Sequence, residues 1–206
     1  MKKIIILLTM VVALDSCTTD ADDEWDAAKV CPESKRGTFV DERDGQVYKY
    51  TTIGDQVWMA ENLRYKSEGS ECYYKEDDCN SMGRAYNLDL TLCPTGWHVP
   101  SEEDWRMLFD SVGGDSLAKV RLKASYGWNV FNPEENPNGT DDCGFGAVFA
   151  QNSNKERIYE SSFLTSSKIG NRETIRVISF YSYENNVPYC GLSCGFYPAY
   201  LRCIRD

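Results

Sequence analysis

Cys93-Pro94-Thr95-Gly96-Trp97-His98-Val99-Pro100-Ser101-Glu102-Glu103-Asp104-Trp105 is the stretch around which this chain is organised. It reads as the start of a strand, a turn set by proline, and the first turn of a helix. Ser101 and Asp104 stand at the spacing of a capping box, with Asp in the place usually held by Glu or Gln. The serine hydroxyl satisfies an orphan helix N–H, and the acids at 102 to 104 complement the positive end of the helix dipole. Trp105, Leu108, Phe109 and Val112 then fall at i, i+3, i+4 and i+7, which makes one apolar helix face. Gly113-Gly114 ends the helix.

Working outward, residues 47–53 and 56–60 are β-rich runs on either side of Gly54-Asp55, which predicts a hairpin with a two-residue turn. Asp44-Gly45 is a second turn just upstream. The run from Cys72 to Cys79 is a polar loop that a local disulfide can staple. Its consecutive acids Glu76, Asp77 and Asp78 lack the alternating ligands and central Gly of a calcium loop. Residues 83–88 read as a short helix or turn. Beyond the organising stretch, Asp115 is placed to cap a second helix over 116–124, with Leu117, Val120 and Leu122 apolar. A long Asn- and Pro-containing loop follows through Asp142, then strands over 145–150, 162–166 and 174–182. Residues 199–205 form a closing strand.

With 206 residues, 42% of them hydrophobic, and 13 Tyr, 8 Phe and 5 Trp, the chain can build the core of one domain. Its formal charge of −10 argues against nucleic acid, whose binding needs Lys/Arg surfaces to displace counterions. Lys2-Lys3 followed by the apolar run Ile4 to Leu14 reads as an export signal, too short to span a bilayer. Leu14-Asp15-Ser16-Cys17 resembles a bacterial lipobox, so residues 1–16 are expected to be removed and Cys17 to carry the lipid. The acidic stretch 17–36, poor in residues to bury, is expected to be an extended tether, pinned to the domain through Cys31. Setting Cys17 aside, eight of the nine Cys remain, an even number suited to disulfides in an oxidising compartment.

Several blocks carry a resemblance. Thr38-Phe39-Val40-Asp41 with Asp44-Gly45 comes first, then Ile53-Gly54 with Gln56-Val57-Trp58-Met59-Ala60-Glu61-Asn62-Leu63, and Gly83-Arg84. The organising stretch, Gly139-Thr140-Asp141 with Gly144-Phe145, and Leu201-Arg202-Cys203-Ile204-Arg205-Asp206 follow. Together, over residues 37–206, they resemble the Fibrobacter succinogenes major paralogous domain, which occurs in secreted and surface lipoproteins. More distantly, Gly96 to Trp105 is similar to a block of formylglycine-generating enzymes, which share the C-type lectin-like fold. The resemblance implies an α+β, C-type lectin-like domain with two short helices, a twisted antiparallel sheet and long disulfide-stapled loops. It also implies a bond between Cys93 and Cys203. With Cys72 and Cys79 as the local pair, Cys31, Cys143, Cys190 and Cys194 remain in three possible connectivities, of which those joining Cys143 to Cys190 or Cys194 are preferred.

Candidate sites stand beside plain structural readings. His98 is the only histidine, so serine-type catalysis with a His base would need it. Its place in the turn before Ser101 favours a structural role. Cys190 to Cys194 is similar to the copper-binding thiol pair of formylglycine-generating enzymes, but three residues intervene instead of four. Disulfide pairing would leave no thiolate for the metal. Calcium-dependent lectins of the same fold use a Glu-Pro-Asn-type loop. The nearest match is Asn136-Pro137-Asn138, with Glu134, Glu135, Asp141 and Asp142 close by, and such oxygen ligands suit calcium. The same residue types also build ordinary loops. No catalytic residue and no obligatory cofactor is therefore expected, calcium being the one candidate. Aromatic stacking is another route to sugars, with Tyr73, Tyr74, Tyr181, Tyr183, Tyr189, Tyr197 and Tyr200 in loop or edge contexts. The expectation is a non-catalytic lectin-like adhesion or binding domain, held by Cys17 at the bacterial envelope, at the outer membrane and facing outward. The alternatives are an oxidase or glycan hydrolase on the same scaffold, or a scaffold for protein partners.

Overall fold

The computed structural model describes residues 25–72, 78–128, 136–149, 160–169, 175–181, 189–191 and 199–206. Residues 1–16, expected to be an export signal, and Cys17, Glu134, Glu135, Cys194, Tyr73, Tyr74, Tyr183 and Tyr197 lie outside them, as do the side chains of Tyr189 and Cys190. The fold is α+β. Its longest helix, α3 (Glu102–Ser111), begins at the expected capping box. The Asp104 N–H donates to Ser101 Oγ at 3.2 Å, and the Ser101 N–H donates to Asp104 Oδ2 at 2.7 Å. Trp105, Leu108, Phe109 and Val112 are fully buried. Burying each such side chain contributes about 1.5–3 kcal/mol. Gly113 and Gly114, at φ 94° and 89°, turn the chain into α4 (Asp115–Arg121).

Helix α4 differs from its reading in the sequence. Gly114, not Asp115, is the N-cap, and the core-facing residues are Ala118 and Leu122. Leu117 and Val120 are 40% and 37% exposed. The double-glycine turn sets the rotation of this short helix, and Ala118 with Leu122 one turn on is the pair it aims inward.

The first sheet has strand order β1 (Gly37–Val40), β2 (Val47–Ile53), β3 (Gln56–Met59), β10 (Ile204–Arg205), β5 (Trp97–His98), antiparallel throughout. The β2–β3 hairpin closes across Ile53 and Gln56, with Gly54 at φ 58° in the turn. The second sheet runs β4 (Ala85–Tyr86), β9 (Ala199–Tyr200), β6 (Glu160–Lys168), β7 (Ile175–Tyr181), β8 (Tyr189–Gly191). In it, β6 and β9 pair in parallel. One sheet was the expectation; two form because the closing segment divides. Residues 199–200 join one sheet, 204–205 the other, and the crossover between them is tied to the segment after the hairpin. There Leu63 N–H donates to Leu201 O and Met59 N–H to Cys203 O, at 2.8 and 3.0 Å.

Three further expectations are corrected. Residues 83–88 contain strand β4, because Ala85 and Tyr86 pair with Tyr200 and Ala199. Residues 145–149 form no strand beyond the single bridge of Ala147 to Lys123. The stretch from Trp25 to Arg36 is folded onto the domain instead of being tether. Asp26 caps α1 (Ala27–Val30), a 3-10 turn covers Glu33–Lys35, and the Trp25 indole donates to Ser111 O at 3.0 Å. Val30 O accepts from the Gly54 N–H at 2.8 Å.

The disulfides explain that docking. Cys31 is bonded to Cys143, Cys72 to Cys79, and Cys93 to Cys203. Pairing of Cys143 with Cys190 or Cys194 is thereby overturned. The N-terminal segment lies along the 141–145 loop, where Arg36 donates to Asp142 O at 3.0 Å, bringing the Cys31 and Cys143 Cα atoms to 5.3 Å.

In the chain-entropy view, closing loops of 112 and 110 residues contributes far more than closing one of 7. Cys31→Ala/Cys143→Ala or Cys93→Ala/Cys203→Ala is therefore expected to lower unfolding free energy by about 4–5 kcal/mol, and Cys72→Ala/Cys79→Ala by about 2. Urea midpoints of residues 18–206 measure this. Ser101→Ala should cost about 1 kcal/mol by the same assay.

Candidate functional site

Strands β1 and β5 are the two edges of the first sheet, yet Phe39 of β1 and Trp97 of β5 stack with ring centroids 4.4 Å apart. The sheet therefore curls until its edges meet on one face, and that face is aromatic. Tyr48 stacks on Phe39 at 5.6 Å, and Tyr50 stands two residues further along β2 on the same side. Arg205, the cross-strand partner of Trp97, lays its guanidinium over Trp97 at 4.8 Å and over Tyr50 at 4.5 Å. Gly37 makes room for this: a Cβ there would meet the Tyr50 hydroxyl at 2.7 Å and the ring at 2.8 Å. Tyr48 and Trp97 are buried in the core, Phe39 and Tyr50 are half-buried and Arg205 is exposed, so the ladder reaches solvent only at its Tyr50–Arg205 end.

Two more arginines stack on this side. Arg64 lies over Tyr48 at 4.4 Å and Arg43 over Tyr65 at 4.0 Å. Both are otherwise engaged. Arg43 pairs with Asp41 at 2.6 Å and Arg64 with Glu61 at 3.7 Å. Burial pushes the Asp41 carboxyl up, but the hydrogen bonds and charge of Arg43 outweigh it and hold the group below its usual range. Burial also raises the Tyr48 phenol to about 12, so it stays neutral, and its oxygen accepts from the Arg64 N–H at 2.9 Å.

Other candidates are absorbed by the architecture. Within β5, His98 is exposed; its Nδ1 pairs with Asp206 Oδ1 at 2.7 Å, and Nε2 lies 3.9 Å from Asp104 Oδ2. Ser101 Oγ donates to Asp104 instead of to the imidazole, so no serine is activated there. In the calcium candidate loop, Asn136 Oδ1 accepts from the Asn138 N–H, and Asn138 Oδ1 from the Trp128 N–H. Asp141, at φ 53°, accepts from the Gly146 N–H at 2.6 Å, and burial raises its pKa. Asp142 lies 3.8 Å from Arg121. Among the described residues, no three His, Cys, Asp or Glu side chains group as a metal site. Cys190 sits in β8 opposite Val177. Tyr200 is fully buried, packed in the core against Phe163, and Tyr181 is half-buried. A shallow polar groove of about 540 Å³ lies where α3 meets α4, with Glu102, Arg106, Asp110 and Asp115 on its walls.

The aromatic ladder was missed in the sequence. Its only local signal is the i, i+2 spacing of Tyr48 and Tyr50, which puts both rings on one strand face.

Lys123 is buried, its Nζ 4.3 Å from the Trp128 ring centre and donating to Tyr181 O at 3.1 Å. Burial lowers its pKa to about 8, with Lys119 adding to the effect. The folded state thus loses this proton before the unfolded state does. Below pH 8 the full penalty of the buried charge is present, and stability recovers as pH rises from 8 towards the unfolded value of 10.5. The stability of Lys123→Met relative to wild type should accordingly fall between pH 7 and pH 10, as measured by urea unfolding at each pH.

No match to the chain was found among curated proteins or solved structures. Residues 51–174, more than half of the chain, match the family model of the Fibrobacter succinogenes major domain, and the chain belongs to that family.

Proposed function

We propose that this chain is a non-catalytic binding module, lipid-anchored through Cys17 at the bacterial outer membrane, whose C-type lectin-like domain takes glycans by aromatic stacking. The observation that carries this reading is the ladder in which buried Tyr48 and Trp97 back the half-buried rings of Phe39 and Tyr50, which reach solvent beside Arg205. Ring faces pack against the C–H surfaces of pyranoses, and aromatic side chains are a common lining of small-ligand sites. The disulfides support it further: a braced platform holds its rings in place before the ligand arrives, which lowers the ordering cost of binding. The engagement of Asn136, Asn138 and Asp141 by neighbouring N–H groups favours stacking over calcium bridging. The envelope address rests on Lys2-Lys3, the apolar run to Leu14, and the lipobox-like residues before Cys17.

A glycan and plant-polysaccharide screen with the exported chain, run in calcium and again in chelator, tests this. Binding is expected in both buffers, weakened about tenfold by Tyr50→Ala, which is near 1.4 kcal/mol. Loss of binding in chelator would transfer the site to the 134–142 loop. No binding by a demonstrably folded sample would sink the glycan reading.

A further inference from the structure

We infer that the open end of the aromatic ladder is a subsite for an acidic sugar, with Arg205 as the group that reads a uronate carboxylate. This rests on the glycan reading above and names the class of glycan.

The argument starts from how guanidinium groups are used. Arginine presents two separate surfaces: flat faces that stack on aromatic rings, and an edge of N–H donors that matches a carboxylate in bidentate fashion. In Arg205 the faces are occupied. Tyr50 and Trp97 hold the guanidinium at 4.5 and 4.8 Å from their ring centres. Stacking leaves the in-plane donors unused, and among the described residues no carboxylate pairs with Arg205. Its neighbour Asp206 is engaged with His98 at 2.7 Å.

The two other stacked arginines on this side show what a structural arginine looks like. Arg43 completes its ring contact with Asp41 and with Leu92 O at 2.8 Å, and Arg64 with Glu61, Gln46 and Val47 O. Arg205 has the ring contacts without the anion, and it is the one at the solvent-exposed end of the ladder. In a chain of net charge −10, an exposed, orientated and unpaired cation is a local exception to the surrounding field. Its complement is a ligand with one carboxylate beside an apolar ring face, which is what a uronic acid unit presents. A single arginine suits a monoanionic carboxylate better than the multiple charges of a phosphorylated ligand, which the acidic surface would repel. Gly37 belongs to the same device, because a Cβ at that position would displace the Tyr50 ring on which Arg205 rests.

Calorimetric titration of the full-length exported chain with trigalacturonate and with its fully methyl-esterified counterpart tests the inference. The ester keeps the rings and removes the charge. Wild type is expected to bind the acid at least tenfold more tightly than the ester, with the difference shrinking as salt is raised. Arg205→Gln should abolish the preference, bringing the affinity for the acid down to that for the ester. Arg205→Lys should restore only part of it, because an ammonium cannot bind in the bidentate mode. Far-UV circular dichroism and the thermal midpoint check each variant. If Arg205→Gln does not fold, the acid–ester comparison on wild type decides. Equal affinities for acid and ester, or a preference that survives in Arg205→Gln, would overturn the inference. Neutral glycans bound with Tyr50 dependence in that case would leave the glycan reading standing. Failure of acid, ester and the neutral panel alike would overturn both.

Discussion

The guanidinium of Arg202 is the point through which the two sheets are joined. It lies fully buried in the crossover between β9 and β10, where its Nε donates to Asn62 Oδ1 at 2.8 Å. Nη1 donates to Phe145 O and Nη2 to Gly146 O. The Phe145 ring lies 4.4 Å from it and the Phe163 ring 5.5 Å. Burial lowers its pKa to about 9, opposed by the charge of Asp141, so it stays protonated at neutral pH. Taking such a charge out of water costs several kcal/mol, and it is tolerated only where donors are matched by acceptors. That requirement places the 145–146 carbonyls, the Asn62 amide and the closing segment around one point. Asn62 carries the constraint onward by donating to Met82 O at 2.7 Å, at the end of α2 (Asp78–Met82).

Around this point the core divides into two clusters. One gathers Trp58, Trp105, Phe109, Phe145, Phe163 and Phe180, with Trp58 and Trp105 at 4.8 Å. The other gathers Tyr48, Met59, Tyr86, Trp97, Leu164 and Leu201. Each takes residues from both sheets, so neither sheet is an independent layer. Gln56 couples the hairpin to the organising helix, accepting from the Trp58 indole and donating to Asp104 O at 3.0 Å. Two of the disulfides then brace the periphery, Cys93–Cys203 at the sheet junction and Cys31–Cys143 at the N-terminal segment. In the second cluster Tyr48 and Trp97 are buried, with Phe39 and Tyr50 packed against them at its half-buried margin.

How much of this was legible in the sequence depends on the range of the interaction. The capping box at Ser101, the α3 face and the Gly54-Asp55 hairpin are decided within eight or so residues by side-chain spacing and backbone preference, and all appear as read. The reading of residues 83–88 and 145–149 failed because strand pairing there depends on distant partners, Tyr200 for Ala85 and Lys123 for Ala147. The candidate site was less legible still. Phe39 and Trp97 lie at opposite edges of a sheet, and no local pattern says that the sheet curls enough to stack them. The tyrosines singled out by loop context fared poorly for the same reason, Tyr200 being core.

By itself the sequence determined the local elements, the membership in a family, the acidic charge that disfavours nucleic acid, and the cysteine content that the disulfides use. Only the tertiary structure decided which cysteine meets Cys143 and that residues 25–36 dock on the domain. It also gave opposite fates to two arginines three residues apart. Arg202 is buried among carbonyls and Arg205 lies exposed across two rings. The residue type is the same and the sequence neighbourhoods are similar. What separates them is the handover of the chain from one sheet to the other between those positions, a property of long-range pairing that local chemistry does not encode.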